Sequence, residues 1–415
     1  MWQAEVRVDL DAIEHNVRLL RSITRAAAPA GSDGAEVMAV VKGDGYGHGM
    51  LPAARAALRG GATWLGGCTV GEALRLRAAG ITAPVLAWLM SPGVPLDPAV
   101  EARVDLTASS AEQLAEIVAA ARRTGVPARL HLKLDTGLGR NGAPPSEWPA
   151  LCEGAAKAQA DGAVEVIGVW SHLACADEPD HPANDAQLQA FRDGLATAER
   201  CGLTPRYRHL ANSAATLTRP DMHFDLVRTG IACYGLSPIP GLAVDLRPAM
   251  TVRARVALVK RVPAGQGVSY GHTYRTAKET TLALVPLGYA DGVPRAASDR
   301  APVRLGGANR LIAGRVCMDQ IVLDCGDDPV APGDVAVLFG PGDEGEPTAD
   351  DWATAVDTIN YEIVTRFGSA RVPRVYSGQS AEPAEAAGSA SHGSASVDQT
   401  AASAERAPHS AGGLA

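Results

Sequence analysis

Residues 36–49 read EVMAVVKGDGYGHG and predict a buried strand that ends at Lys42. A run of apolar residues that stops at a glycine-rich turn is typical of a strand covered on both faces. Lys42 therefore lies at the rim of a core, where partial removal from water favours the neutral, nucleophilic amine. The glycines let the backbone approach a ligand closely, and Tyr46 can direct its phenol toward a phosphate. An ordinary surface lysine after a strand remains open on this stretch alone.

Seven further short apolar runs follow, and helical segments separate them. These runs are residues 63–68, 84–89, 104–108, 129–135, 164–173, 207–210 and 226–234. Eight strand and helix repeats with nearly continuous apolar strands predict an α/β fold of the (β/α)8 TIM type, rather than an open doubly wound sheet. We expect this barrel to cover residues 11–240, with Asp11 capping a first helix.

The sequence pattern changes after Pro248, where short segments of alternating polar and apolar residues lie between Gly, Pro and Asp turns. This pattern predicts a second, all-β domain made of residues 1–10 and 241–376. Residues 377–415 are rich in Ala, Ser, Gly, Glu and Pro and hold no aromatic residue. Such a composition cannot bury enough apolar surface to fold, so we expect a disordered tail that is dispensable for activity.

Composition restricts the classes of function. The net charge of -8 argues against nucleic acid and against an anionic membrane surface as partners. No apolar run approaches the roughly 20 residues of a membrane span. The first residues resemble neither a signal nor a transit peptide, and the seven scattered cysteines are typical of reduced thiols. A cytoplasmic protein is expected.

Polar residues at the ends of the predicted strands mark a candidate site, because chemistry in such barrels gathers at the carboxyl ends of the strands. The loops after the seventh and eighth strands are the common phosphate site. The residues concerned are Lys42, Arg140, His172, Asn212, Ser213, Arg228, Gly230 and Ile231. The Cys, Asp and His residues after His172 fit no compact zinc spacing, so no metal site is predicted. Taken alone, the string that ends in Arg140 favours a surface salt-bridge partner, and Arg228 could be a capped cation at the barrel rim.

Seven stretches together resemble the alanine racemases, in the expected order and as far as about Tyr376. They are AVVKGDGYGHG at 39–49, HLKLDTGLGR at 131–140, WSHLA at 170–174, LVRTGI at 226–231, VSYGHTY at 268–274, GRVCMDQ at 314–320 and INYE at 359–362. The first stretch has Gly43 and Asp44 where the family commonly has Ala and Asn. Both Lys42 and Tyr46 still match the family pattern.

The resemblance implies pyridoxal phosphate bound to Lys42, with Tyr46 at its phosphate. Arg140 would orient the cofactor phenol and the substrate carboxylate, and Lys133 can be carbamylated in the family. His172 would lie against the pyridine ring. Arg228 would face the ring nitrogen, where a permanent cation disfavours ring protonation. We also expect Trp88, in the predicted strand 84–89, to contact the cofactor.

The remaining elements imply a homodimer with shared active sites. Tyr270 would be the second base, reaching the partner's site, although on composition alone it is a surface tyrosine. The backbone N–H of Met318 would meet the substrate carboxylate, and Tyr361 would lie at the phosphate and the entrance. The implied reaction interconverts L- and D-alanine through an external aldimine by a two-base mechanism, which supplies D-alanine for peptidoglycan.

Three alternatives stay open. A broader racemase of small amino acids such as serine has the same motifs. A basic amino-acid decarboxylase shares the architecture, although Arg228 and the Tyr270 motif argue against it. A non-catalytic protein that binds pyridoxal phosphate generally lacks the second domain.

Overall fold

The computed structural model describes residues 2–368 and 371–378, and its centre is a parallel eight-stranded barrel. Strand β1 (Ala4–Asp9) precedes it. The barrel strands are β2 (Glu36–Val40), β3 (Trp64–Thr69), β4 (Val85–Leu89), β5 (Asp105–Ala108), β6 (Ala128–Lys133), β7 (Val164–Trp170), β8 (Tyr207–His209) and β9 (Leu226–Thr229). β9 pairs with β2, and backbone hydrogen bonds from Asp225 to Arg208 at 3.1 Å and from Arg228 to Ala211 at 3.0 Å link β8 to β9. The predicted barrel is confirmed.

Helices cover the outside of the barrel. Those that follow its strands are Met50–Arg59, Val70–Ala78, Asp97–Glu101, Ala111–Thr124, Trp148–Ala160, Pro182–Arg200 and Ser213–Thr218. The remaining gap is filled by Leu10–Ala26, which packs against Met50–Arg59 and Ser213–Thr218. Asp9, rather than the expected Asp11, caps this helix, because its side chain accepts the backbone N–H groups of residues 11 and 12.

Several predicted strands are shorter in the structure than in the sequence pattern, including the lysine strand, which ends at Val40 rather than at Lys42. The runs 129–135, 164–173 and 226–234 leave the sheet at Lys133, Trp170 and Thr229. Their last residues turn out of the sheet and form loops over the barrel mouth, and Ile231–Tyr234 becomes a 3-10 turn. The apolar pattern continues through these loops because they are buried as well.

The second domain contributes the strands β10 (Met250–Arg255), β11 (Leu258–Val262), β12 (Gly267–Val268), β13 (Tyr274–Arg275), β14 (Thr280–Val285), β15 (Pro302–Leu305), β16 (Ala308–Leu311), β17 (Ile321–Asp324), β18 (Val335–Phe339) and β19 (Arg374–Ser377). They form a six-stranded sheet of order β16-β15-β18-β10-β1-β19, a three-stranded sheet β11-β14-β17 and a hairpin β12-β13. β1 lies between β10 and β19. The first residues of the chain thus pair with strands of the second domain, and the division at residues 10 and 240 stays a prediction.

The second domain is mostly rather than wholly β. It contains the helices Ala349–Val356 and Asn360–Thr365, which the sequence analysis did not expect. Thr348 and Asp351 form a capping box at the first of them, and Trp352 fills the core beneath it. It also contains the 3-10 turns Tyr270–His272, Tyr289–Asp291 and Arg295–Ala297, whereas the 3-10 turn Pro220–Met222 lies between β8 and β9 of the barrel.

Of the predicted disordered tail, Ser377 belongs to β19 and residues 379–415 lie outside the described part of the chain. None of the described helices has the length and apolar content needed to cross a membrane.

Candidate active site

A cavity of about 810 Å³ opens at the carboxyl ends of the barrel strands. Helix Asn360–Thr365 of the second domain closes one side of it. All residues predicted to bind the cofactor line this cavity, as does Lys133. They are Lys42, Tyr46, Trp88, Arg140, His172, Asn212, Ser213, Arg228, Gly230, Ile231 and Tyr361.

The lysine stretch leaves β2 as a left-handed turn. Gly43, Asp44 and Gly45 have φ of 61°, 53° and 65°, and Tyr46 follows at 52°. A left-handed turn costs about 1–2 kcal/mol for each residue that carries a Cβ, so two glycines among these four residues make it feasible. The turn presents Lys42 at its start and Tyr46 at its end to the same cavity.

Strand β19 holds this turn in place from the second domain. Arg374 donates from Nε to the carbonyl of Gly47 at 2.7 Å and pairs through Nη2 with Asp44 at 2.8 Å. A Cβ on Gly49 would lie 2.1 Å from the Tyr376 hydroxyl, so β19 packs directly on the turn. The segment that carries Lys42 is therefore held by both domains.

Burial lowers the pKa of the Lys42 amine, and the nearby Arg140 cation lowers it further, while Cys68 opposes the shift. The Lys42 Nζ lies 5.9 Å from the centre of the Trp88 ring and 6.0 Å from that of Tyr46. A larger share of neutral amine follows, which is the nucleophilic form.

Arg228 is buried on β9 and is held by backbone carbonyls. Nη1 donates to the carbonyl of His209 at 2.9 Å, and Nη2 donates to that of Ser171 at 2.7 Å and that of Leu210 at 3.1 Å. Burial lowers its pKa to about 9, which leaves the guanidinium charged at neutral pH. Nη2 also lies 3.2 Å from Nδ1 of His172. Burial and the neighbouring cations lower the pKa of His172 well below its usual value, so this imidazole is neutral and accepts from Arg228.

A small polar corner of the cavity lies between Tyr46 and the loops after β8 and β9. Ser213 Oγ accepts the N–H of Gly230 at 2.9 Å, and the Asn212 side chain caps the helix Ser213–Thr218. A Cβ on Gly230 would lie 2.2 Å from Tyr46 Oη, so only glycine leaves room for the phenol there. Burial raises the pKa of Tyr46, which keeps its hydroxyl a hydrogen-bond donor.

Lys133, at the end of β6, also lines the cavity and is almost fully buried. Its ammonium donates to Asn141 and lies 4.1 Å from the centre of the Trp170 ring. Burial, followed by the charges of Arg228 and Arg140, lowers its pKa to about 7. A larger share of the Lys133 amine is thus neutral at physiological pH than in an exposed lysine.

Tyr270 and Met318 do not line the cavity of their own chain. Their side chains are 70% and 53% exposed, in contrast to Tyr361, which lines the cavity and lies 6.2 Å from Tyr46 between ring centres. The structure therefore brings together all the predicted site residues except these two.

Eight residues that line the cavity were not predicted: Val40, Cys68, Leu89, Asn141, Trp170, Ile359, Glu362 and Thr365. Val40, Trp170, Ile359 and Glu362 lie within the motifs AVVKGDGYGHG, WSHLA and INYE, and Asn141 follows Arg140 directly, so the motifs gave a usable signal for these five residues. Within residues 2–368 and 371–378, no cluster of three or more His, Cys, Asp or Glu side chains could hold a metal ion.

Two family models match the chain. The model described as alanine racemase, N-terminal domain, matches residues 8–238, and alanine racemase, C-terminal domain, matches residues 249–376. A protein named alanine racemase from Salinispora arenicola is 69% identical over 379 residues, which are 91% of this chain and 100% of that protein. One from Thermobifida fusca is 62% identical over 376 residues, 90% of this chain and 98% of that one.

Comparison with solved structures also finds alanine racemases. Alanine racemase from D-cycloserine producing Streptomyces lavendulae superposes with a TM-score of 0.88 at 55% identity, over 91% of this chain and 98% of that chain. The Bacillus anthracis enzyme with bound L-Ala-P has a TM-score of 0.81 at 37% identity, over 92% and 96%. The Bartonella henselae enzyme with covalently bound pyridoxal phosphate has a TM-score of 0.80 at 28% identity, over 91% and 100%. With both domain models matched in order and relatives this similar along nine-tenths of its length, the chain belongs to the alanine racemase family.

Proposed function

We propose that this protein is an alanine racemase, which interconverts L- and D-alanine with pyridoxal phosphate as cofactor. One observation carries the proposal. The Lys42 amine and the buried Arg228 cation face one cavity, together with the polar corner of Tyr46, Ser213 and Gly230. An acid in place of Arg228 would favour a decarboxylase, and the second domain argues against a simple binding protein.

The residues of the cavity fit pyridoxal phosphate. Lys42 would hold it covalently through the amine, and Tyr46, Ser213, Gly230 and Ile231 would hold the phosphate. The missing Cβ of Gly230 leaves that corner open beside the Tyr46 hydroxyl. Arg228 would face the ring nitrogen as a cation, with His172 against the ring; Trp88, Asn212 and Tyr361 complete the binding residues. When bound, this cofactor supplies an electron-accepting ring that stabilises negative charge on the substrate α-carbon.

Two side chains move the α-proton. The neutral amine of Lys42 exchanges a proton with the α-carbon on one face, and the phenol of Tyr270 does so on the other. One proton leaves and one arrives in each turnover, so the configuration inverts and no other atom is gained or lost. Because Tyr270 is exposed and outside its own cavity, we assign this role to Tyr270 of the partner subunit.

Substrate binding is assigned to Arg140 and to the backbone N–H of Met318, both to the carboxylate. Lys133, with its partly neutral amine, is assigned a carbamate formed with carbon dioxide; the resulting anion would pair with Arg140. The exposed Tyr270 and Met318 support a homodimer in which each subunit completes the site of the other. We place this dimer in the cytoplasm, where it would supply D-alanine for peptidoglycan.

The decisive assay follows the optical activity of L-alanine, L-serine and L-lysine with added pyridoxal phosphate. L-alanine should lose its optical rotation and reach equal amounts of both enantiomers. Equal rates with L-serine would indicate the broader racemase. Release of carbon dioxide from L-lysine, or no change in any amino acid, would contradict the proposal.

Attachment of the cofactor is tested separately. Borohydride reduction of the holoenzyme and peptide mapping should place the label on Lys42. Lys157, on the outer helix Trp148–Ala160, is the matched position that should stay unlabelled. A label on Lys133 or Lys157 instead would show that Lys42 has another role.

A further inference from the structure

A row of polar side chains runs through the barrel interior from β5 to the floor of the cavity. Asp105 on β5, His131 on β6 and His209 on β8 are all fully buried. Nε2 of His131 lies 3.3 Å from an Asp105 oxygen, and Nδ1 of His131 lies 2.9 Å from Nε2 of His209. Nδ1 of His209 lies 3.3 Å from Nη1 of Arg228. The row thus connects Asp105 to the cation at the cavity floor.

The two ends of this row determine where its protons lie. A guanidinium only donates, so Nδ1 of His209 accepts from Arg228. Burial lowers the pKa of His209 well below its usual value, so its ring is neutral with a single N–H. That N–H is at Nε2 and points to Nδ1 of His131.

The other end agrees with this assignment. The proton of His131 must then lie on Nε2, facing Asp105. Arg129 Nε lies 3.1 Å from both carboxylate oxygens of Asp105, so that group offers only acceptors to His131. Every hydrogen bond in the row therefore points away from Arg228 and toward Asp105.

The residues that surround this row leave space for its two histidine rings and contact them. A Cβ on Gly168 of β7 would lie 2.5 Å from His131 Nδ1, so glycine leaves the space through which the two histidines meet. Trp170 stacks on His209 with 3° between the ring planes and 5.5 Å between their centres. Trp64 meets His131 edge-on at 5.5 Å. Both rings are thus held in one orientation.

We propose that Asp105 and His131 are positioning residues that fix His209 as the Nε2–H tautomer and thereby hold the Arg228 guanidinium and the neutral His172 in place. The inference rests on the proposed function, because Arg228 and His172 serve the reaction only if the cofactor binds in this cavity. With the opposite tautomer, an N–H of His209 would face an N–H of Arg228. Arg228 would then have to move off its carbonyl partners and away from His172.

The first test is independent of activity. Holoenzyme labelled with ¹⁵N-histidine is examined by two-bond ¹H–¹⁵N correlation, which separates the two neutral tautomers and the imidazolium. Signals of positions 131 and 209 are assigned by their loss in His131→Gln and His209→Gln. Both rings should be Nε2–H tautomers. An Nδ1–H tautomer or an imidazolium at either position overturns the proposal, whether or not the protein racemises alanine.

The second test compares three variants. His131→Leu removes the link and should lower kcat about 10- to 100-fold, the usual effect of losing a partner one step behind the reacting groups, with KM for alanine little changed. His131→Gln can still accept from His209 and donate to Asp105, so it should stay within about threefold of the parent. Thr107→Val is the matched control. Thr107 lies on β5 opposite His131, and its buried hydroxyl has no hydrogen-bond partner in the described part of the chain.

Thr107→Val should leave kcat and the His209 signals unchanged. Equal losses in His131→Gln and His131→Leu, or full activity of His131→Leu, would refute the positioning role. If His131→Leu does not fold, the tautomers of the parent enzyme decide the matter alone.

Discussion

Gly230 lines the cavity at a position that has no room for a side chain. Its Cβ would lie 2.2 Å from the Tyr46 hydroxyl. Gly230→Ala should displace the phenol and weaken binding of pyridoxal phosphate by roughly tenfold, or about 1.4 kcal/mol. Titration of the apoenzyme with the cofactor, followed by absorbance, measures this.

Gly71→Ala provides the matched control for this substitution. Gly71 lies in the helix Val70–Ala78, and its added Cβ would approach nothing closer than 3.9 Å. Cofactor affinity should be unchanged, and stability should rise by up to about 1 kcal/mol through helix propensity. If Gly230→Ala binds as tightly as Gly71→Ala, the phosphate does not lie beside Tyr46.

Lys133 should take up carbon dioxide. Its neutral amine adds CO₂ and releases a proton, and the neutral fraction rises as the pH passes through its pKa of about 7. At constant CO₂ pressure, ¹³C-labelled carbon dioxide should therefore give a protein carbamate signal that is stronger at about pH 8 than at about pH 6. Lys133→Met should lack the signal and Lys157→Met should keep it. A signal that persists in Lys133→Met would assign the carbamate to another amine.

The motif residues, such as Lys42 and Arg228, were predictable because each lies within a distinctive sequence motif. Cys68 was missed for a physical reason. Its side chain reaches the cavity only because β3 ends there, and nothing in the residue type itself indicates a ligand. The row from Asp105 to His209 was equally invisible, because it joins residues that the barrel alone brings together.

The left-handed turn after β2 depends on its contacts with β19. Arg374→Leu removes the bonds to Gly47 and Asp44. The turn should then relax toward conformations with less strain, which misplaces Lys42 and lowers kcat roughly tenfold. Steady-state kinetics measure this loss, and the rate of borohydride trapping at Lys42 reports the lysine directly.

Arg255→Leu is the control for that change. Arg255 belongs to the same sheet and also donates to a carbonyl, that of Gly333 at 2.9 Å, but does not touch the turn. Its loss should leave kcat unchanged. Equal kinetics of Arg374→Leu and Arg255→Leu would show that β19 does not support the lysine.

Sequence patterns located the barrel strands well, because a buried parallel strand is a continuous apolar run. They did not reveal the direction of the turn at Gly43, where glycine permits several conformations and the contacts of Arg374 select one. The helix Ala349–Val356 was missed although its capping box, Thr348 with Asp351, is readable. The surrounding alternating strands favoured a continued β pattern there.

Two subunits should build each active site. Lys42→Ala and Tyr270→Phe should each be inactive alone, since each lacks one base. After subunit exchange, a mixed dimer has one site with both bases intact and one with neither. An equal mixture should recover about a quarter of the parent activity per chain, because half of the dimers are mixed.

Steady-state racemisation, measured after exchange is confirmed by mass spectrometry, tests this arithmetic. Lys42→Ala mixed with Lys42→Arg is the control and should recover nothing, because neither subunit supplies the lysine base. Absence of recovery in the first mixture would place both bases within one chain, and a fully active Tyr270→Phe dimer would show that Tyr270 is not the second base. Tyr270 is exposed because of the way the β domain folds. The sequence around residue 270 does not indicate whether the Tyr270 side chain can reach the cavity of its own chain.

The bond between Arg374 and Gly47 joins positions 327 residues apart. At roughly 5–20 residues per second, a ribosome that has made the Lys42 turn needs about 15–65 s to make the strand that supports it. During that interval the barrel can form, but its lysine segment lacks the contacts of β19. A nascent chain should thus position its lysine fully only after Arg374 has been made.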